Sequence, residues 1–510
     1  MSDPGQAISE FSLALRWPPA ARVALRWGGC LALAMASLAL PAAPTYDPWA
    51  WVVFGKEIAD PGIRFSTLAG TGWKPLAVLF TAPLALLGDA APSLWLVVVR
   101  AAGLAAMALA FRLAARAGGR IAGAVAVLAL LASSDWLRYL SAGNVEPLVV
   151  ALVLGAIELH LRGRRGGAFL LGALAGLARP EVWLLVGIYA VWLLLRERRW
   201  WPLVLGVPGM LALWIVPDRL GSGEWLHTFH SAQVSAEPLG LQKTGNPALE
   251  LVRGAAGIVP APVWIGALCA LAFGLRGRDR TVAALAVVAA AWVVPTVGGT
   301  ALGYPAVPRY LVEPAAVCCV LAGVGVVALV RRASGARARV ALVAALVAVS
   351  VPFAVSRAIG LGNQAGDAKG RAAELSDLWR AVDGAQRRVP VARLHPVVEP
   401  GAMANALAWK LDLRLRGVVG AFSPAAVRIA FIEGDERPVI ARLRRHGATV
   451  VRLSAAGAWH VLLVRRKHSR PRRRSAHAVS SAATTTLPAT SRKCSERLPS
   501  SVCSAQTPTS

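Results

Sequence analysis

The stretch WGGCLALAMASLALPAAPTYDPW, residues 27–49, is an apolar run that breaks at prolines and delivers one carboxylate, Asp47, into an aromatic setting. The run has the character of a membrane-crossing segment and carries no convincing small-residue cleavage site, so it reads as an anchor rather than a signal peptide. A charged side chain straight after such a run lies at the bilayer surface. If the rest of the chain is embedded, Asp47 is the first place to look for a general base.

Working outward, the whole 510-residue chain has the same character. Hydrophobic residues make up 56% of it and the mean hydropathy is +0.54. Apolar runs approaching the roughly 20 residues needed to cross a bilayer recur along it. The expected class is therefore mainly α, a polytopic transmembrane helix bundle. The net charge of +28 does not point to nucleic acid. Most arginines stand in short clusters between apolar runs, as the positive-inside rule requires of cytoplasmic loops. A second basic block, Arg465 to Ser510, carries ten Lys/Arg against one Glu. Cys30, Cys269, Cys318 and Cys319 fall in apolar runs and act as small hydrophobes, whereas Cys494 and Cys503 lie in the tail. No Cys/His spacing suits a metal, and His227 and His230 alone are too few ligands.

The arginine clusters allow the topology to be counted. Arg16, Arg22 and Arg26 precede the first span, which makes residues 1–26 a cytoplasmic segment and puts Asp47 outside. A long outer loop, 41–92, contains an apolar piece at Pro75 to Leu87 that is too short to span and reads as an interfacial helix. Continuing the count gives about eleven spans in a membrane domain of residues 27–360. Every tight arginine cluster falls inside, including Arg112/Arg116/Arg120, Arg196/Arg198/Arg199 and Arg331/Arg332. The odd count places a small C-terminal α/β domain, 361–467, outside. Its expected elements are a helix through Leu375, Leu378, Trp379 and Val382, a strand at Val389 to Leu394, a helix near Met403 to Leu411, and strands at Val427 to Ile432, Ala448 to Leu453 and Trp459 to Val464. Residues 468–510 form a basic tail without the apolar content to bury a core.

On this topology the polar motifs collect on the outer face. They are Asp47, Lys56, Glu57 and Lys74 in the first loop, Asp135, Arg138, Asn144 and Glu146 in the second, Arg179 and Glu181 in the third, Asp218, Arg219, Glu224, His227 and His230 in the fourth, and Arg309, Tyr310 and Glu313 in the fifth. Each has a structural alternative. Asp47-Pro48 suits a helix start, with Asp as N-cap and Pro at N1. Glu146 and Glu181 suit the positive ends of helices. Arg309 could anchor a helix at the headgroups or pair with Glu313. Arg100 lies within the second span, where an arginine is costly and is read as functional. It is expected to reach the outer cavity or to pair with Asp135 or Glu146.

Taken in order, several motifs resemble the GT-C family of integral-membrane glycosyltransferases over roughly residues 20–355. They are Tyr46-Asp47-Pro48-Trp49 with its interfacial helix, Gly143-Asn144-Val145-Glu146-Pro147, Leu177-Ala178-Arg179-Pro180-Glu181, and Pro308-Arg309-Tyr310-Leu311-Val312-Glu313-Pro314. The chain departs from the family at Pro48, where relatives often carry a second acid. The resemblance implies transfer of a sugar from a polyprenyl-phosphate donor to an extracytoplasmic glycan, lipid or protein acceptor. That transfer would take place at the plasma membrane of a bacterium, the source that the Ala-, Arg- and Gly-rich composition suggests. It further implies Asp47 as base and Arg309 as phosphate clamp. Lys74, Arg179, Arg100, Glu146 and Tyr310 would be donor contacts. Membrane lipids are the surroundings, and neither a metal nor another cofactor is implied. Mannose and arabinose are family-level expectations for the sugar. The competing readings are a transporter or flippase of a lipid-linked or anionic solute, and a non-catalytic membrane subunit. No internal repeat of the transporter kind is visible in the sequence.

Overall fold

The structure, a computed structural model, describes residues 19–62, 65–68, 71–236, 246–394, 396–399, 401–419 and 427–466. The expectations for the first 18 residues and for the basic tail, with Cys494 and Cys503, lie outside these residues.

Each of the eleven expected runs is a helix. In chain order the helices are α1 (Pro19–Ala36), α2 (Tyr46–Ala59), α3 (Pro75–Ala85), α4 (Ala91–Gly118), α5 (Arg120–Leu131), α6 (Trp136–Ala142) and α7 (Glu146–Leu161). They continue as α8 (Arg165–Gly176), α9 (Trp183–Glu197), α10 (Val207–Ser222), α11 (His227–Ala236), α12 (Pro247–Ala256), α13 (Ala261–Arg276), α14 (Arg280–Ala301), α15 (Val312–Arg332) and α16 (Ala336–Gln386). Among the described residues five helices are long and apolar enough to cross a membrane, or seven if the bent pairs α5–α6 and α12–α13 each count as one span. The chain is a multi-pass membrane protein.

The centre of the bundle is α15, buried along most of its length against α5 and α13. Hydrocarbon does not drive helices together, so association in a membrane relies on close backbone approach at small residues. Gly323 and Gly325 supply it. A Cβ at Gly323 would overlap the backbone of Ala122 on α5, and one at Gly325 the backbone of Gly266 on α13.

The last helix, α16, runs 51 residues without a break, through Pro352 and across the domain boundary expected near residue 360. Its C-terminal part packs on a five-stranded sheet made of β1 (Val397–Val398), β2 (Val418–Val419), β3 (Ile429–Glu433), β4 (Ala448–Ala456) and β5 (Trp459–Arg466). The strand order is β2-β1-β3-β5-β4. The first three strands run parallel, while β5 pairs antiparallel with both β3 and β4. The expected helices at 375–382 and 403–411, and the three later strands, are all present, with α17 (Ala404–Lys410) and α18 (Arg437–Arg445) beside the sheet.

The strand expected at Val389 to Leu394 is instead a 3-10 turn, Val391–Arg393. Pro390 is the reason. It has no N–H for a ladder, and its carbonyl accepts from Arg393 at 2.9 Å to close the turn.

This sheet unit sits directly on α2. Asn405 Nδ2 donates to the Tyr46 carbonyl at 2.8 Å, and Trp49 meets Trp379 edge-on with centroids 5.9 Å apart. Lys56 pairs with Asp412, and the buried Glu57 carboxylate accepts from Leu415 N at 2.8 Å and Ser66 N at 3.3 Å. Burial nonetheless holds the Glu57 carboxyl above its ordinary value.

Candidate active site

Asp47 is the second residue of α2, inside the first turn rather than before it. The N-cap position belongs to Thr45, which makes no side-chain cap bond and instead donates to Asn144 Oδ1 at 3.1 Å. The Asp47 carboxylate is therefore not the cap that Asp47-Pro48 suggested. It faces Arg309, with Oδ2 at 3.5 Å from both terminal nitrogens of the guanidinium. Arg309 comes from a 3-10 turn, Pro308–Leu311, which is held in place by Trp292 Nε1 donating to the Tyr310 carbonyl at 3.1 Å. A pair with Glu313 was one structural alternative for Arg309. That carboxylate turns away to Arg179 instead.

Lys74 reaches the same place because α2 and α3 cross at close range. Gly55 allows the approach, since a Cβ there would stand 2.6 Å from the Thr81 carbonyl oxygen. Thr81 Oγ1 then donates to the Trp51 carbonyl at 2.7 Å and locks the crossing. Lys74, the residue before α3, is thus carried to the start of α2, with Nζ 5.0 Å from the centroid of the Trp51 ring.

Beneath this pair lies a buried ion triad. Arg179 Nη2 is 2.6 Å from Glu146 Oε1, and its Nε is 3.3 Å from Glu313 Oε1. The three side chains are 2%, 2% and 0% exposed, respectively. They come from three segments. Arg179 lies in extended backbone before Pro180, Glu146 is the first residue of α7, and Glu313 is near the start of α15. Leu76 N bonds the Leu177 carbonyl at 3.0 Å and so ties the Arg179 turn to α3. Tyr310 stands between the two layers, with the Arg179 and Arg309 guanidinium carbons 5.3 and 5.8 Å from its ring.

The two layers differ in what they can do. Arg179 is paired with two carboxylates and sealed off from solvent, so it braces the site from below. Asp47 and Arg309 are 23% and 36% exposed, and their contact is long. The open layer therefore offers two cations and one carboxylate.

Burial pushes the Asp47 carboxyl up, but Arg309, Lys74 and the Thr71 side chain outweigh it and leave it below the ordinary aspartate value. Asp47 is ionised at neutral pH. Burial, with Arg179 and Arg309 nearby, pulls the Lys74 ammonium down to about 8, against smaller support from Glu146 and Asp47.

Of the residues singled out from the sequence, Asp47, Lys74, Glu146, Arg179, Arg309 and Tyr310 converge here. Arg100 is committed elsewhere. Its Nη1 donates to the Ser37 carbonyl at 2.8 Å and to Ser37 Oγ at 2.9 Å, and its Nε to the Leu140 carbonyl at 3.4 Å. Neither Asp135 nor Glu146 is its partner. The Ser37 carbonyl and hydroxyl just beyond α1 and the Leu140 carbonyl on α6 satisfy it, which is how an arginine at membrane depth avoids an ion pair. The sequence reading missed Asn405 and placed Trp379 only on a helix of the C-terminal domain; both hold the helix carrying Asp47 from far along the chain. Glu224 has His227 and His230 at 3.4 and 3.7 Å. No group of three or more His, Cys, Asp or Glu among the described residues is arranged to hold a metal ion.

No family model matches the sequence, and no curated protein matches it either. Solved structures do. ArnT from Cupriavidus metallidurans bound to undecaprenyl phosphate is similar over 87% of this chain and 98% of its own, at 17% identity and a TM-score of 0.56. The same protein in the apo state matches over the same shares, at 17% identity and a TM-score of 0.55. The likeness establishes a shared fold.

Proposed function

We propose that this chain, a multi-pass membrane protein of the GT-C fold, is a glycosyltransferase that moves a sugar from a polyprenyl-phosphate donor to an acceptor hydroxyl on the extracytoplasmic face of a bacterial plasma membrane. One observation carries the reading. Asp47, Arg309 and Lys74 are brought from three distant segments into one partly open layer, supported by a sealed Glu146–Arg179–Glu313 triad. The undecaprenyl phosphate bound to the similar ArnT is consistent with a lipid phosphate as the group these cations would meet.

The chemistry follows from the charges. The donor phosphate competes with Asp47 for Arg309, whose planar guanidinium binds phosphate oxygens bidentately, while Lys74 adds a point charge. Losing its share of Arg309 makes Asp47 more basic as the donor arrives. Asp47 takes the proton from the acceptor hydroxyl as that oxygen forms a bond to the anomeric carbon. The bond from the anomeric carbon to the phosphate oxygen breaks, and its electron pair leaves on the phosphate. Arg309 and Lys74 stabilise the charge that grows there. A second carboxylate beside Asp47 is not required by this scheme, so Pro48 in that place does not prevent it.

The direct test is transfer of labelled sugar from a polyprenyl-phosphate sugar by the purified protein, together with lipid-linked sugar analysis in a deletion strain. Donor accumulation and a missing glycan are expected. A strain with unchanged lipid-linked sugars and unchanged envelope glycans would rule the reading out. Arg309→Ala is expected to weaken donor binding by roughly 10–100-fold, the value of a charge-assisted contact, as measured by donor KM.

Lys74 makes donor binding depend on pH in a definite direction. A phosphate raises the pKa of a neighbouring ammonium, so above pH 8 the free protein must take up a proton to bind. Affinity for the lipid phosphate should be flat below about 8 and fall up to about tenfold per pH unit above it. Lys74→Arg should remove the fall. Titration of binding between pH 7 and 9.5 checks both, and a flat wild-type profile would contradict the role of Lys74.

A further inference from the structure

The apolar half of α16 packs only sparsely on the bundle it runs beside. This helix qualifies as a membrane span, yet none of its most apolar 18-residue window is buried. It is pinned at its two ends instead. At one end it follows α15 after the short link Ala333–Gly335; at the other, Arg357 Nη2 donates to the Gly257 carbonyl at 2.9 Å. Between the pins lies a groove of ≈ 1220 Å³, walled by α16 on one side and by α5, α13 and α15 on the other. Its lining runs from Val343 to Leu361 on α16, about 27 Å at 1.5 Å per residue, close to the roughly 30 Å hydrocarbon thickness of a bilayer. Val347 at 58% and Leu128 at 65% exposure face it from α16 and α5.

The groove is not uniformly apolar. Among the described residues its lining includes Arg120, Arg331 and Arg357 and no carboxylate. Arg120 and Arg331 share one mouth, where Arg331 Nη2 donates to the Gly118 carbonyl at 3.1 Å and keeps its other donors. That mouth is at the end of the bundle remote from Asp47, since α15 carries Glu313 at its start and Arg331 at its finish. Basic pockets between membrane helices bind anionic headgroups, and an apolar slot of bilayer length suits acyl chains.

We propose that this groove is a binding site for an anionic phospholipid, its headgroup at Arg120 and Arg331 and its chains filling the gap along α16. The lipid acts as a brace. The same helix continues to Trp379, which packs on Trp49 two residues from Asp47. The site is separate from the donor site and does not depend on the glycosyltransferase reading.

The test uses the full-length protein in mixed phosphatidylglycerol and phosphatidylcholine, with retained lipids counted by native mass spectrometry. Phosphatidylglycerol should be retained in preference, by tenfold or more, and Arg120→Ala with Arg331→Ala should erase the preference. Val347→Trp, which fills the slot without touching either arginine, should lower retention of both lipids. Equal retention of the two lipids by the wild type overturns the proposal, as does retention that both variants leave unchanged. Polyprenyl phosphate recovered in place of phospholipid, or a Val347→Cys protein that cross-links to a second copy, overturns it equally.

Discussion

Asp47→Asn is expected to lower the rate of sugar transfer by about 10²- to 10⁴-fold, the contribution of a positioned general base. That corresponds to about 3–5 kcal/mol of transition-state stabilisation. The substitution keeps size and shape but cannot accept the acceptor proton. Folding should survive it, because the pair with Arg309 is 3.5 Å long and partly exposed, and such pairs contribute little. Donor affinity should hold or improve, since Arg309 no longer has a carboxylate to leave. The measurement is single-turnover transfer beside a thermal unfolding curve. A variant that folds and transfers at the wild-type rate would remove Asp47 from the mechanism.

Arg179→Met should instead act on the fold. It leaves Glu146 and Glu313, both essentially sealed from solvent, without their shared cation. Removing one partner of a buried ion pair typically costs about 3–5 kcal/mol, because the remaining charge is buried uncompensated. The unfolding temperature in detergent should fall accordingly, and expression with it. Adding Glu146→Gln and Glu313→Gln removes the stranded charges and should recover much of the loss. If Arg179→Met alone unfolds at the wild-type temperature, the triad does not brace the site. These two substitutions separate the layers, one costing rate and the other stability.

The convergence of the site residues was legible for a physical reason. Arginine clusters obey the positive-inside rule, so sidedness can be counted from sequence, and sidedness collects outer-loop side chains on one face. The topology count therefore groups Asp47, Lys74, Glu146, Arg179 and Arg309, though together with other outer-loop residues such as Lys56, Asp135, Asp218 and Glu224. Their roles were not legible. Arg179 and Arg309 look alike in sequence, each beside a proline and near a glutamate. Only packing makes one a sealed brace and the other an open cation. The partners of Arg100 were not legible because a lone arginine in an apolar run does not reveal acceptors on neighbouring helices.

The hydrophobic runs and their charged punctuation determined that this chain is a membrane bundle with a sheet unit at its end, because burial in lipid requires apolar surface of a set length and closed backbone hydrogen bonds. Tertiary structure alone decided which carboxylate is free. Asp47 was legible as a candidate base and equally as a helix cap. The crossing of α2 and α3 at Gly55 and the turn of Glu313 toward Arg179 leave it facing Arg309 and Lys74. Such pairings join residues up to 262 positions apart. No local pattern in the sequence encodes them.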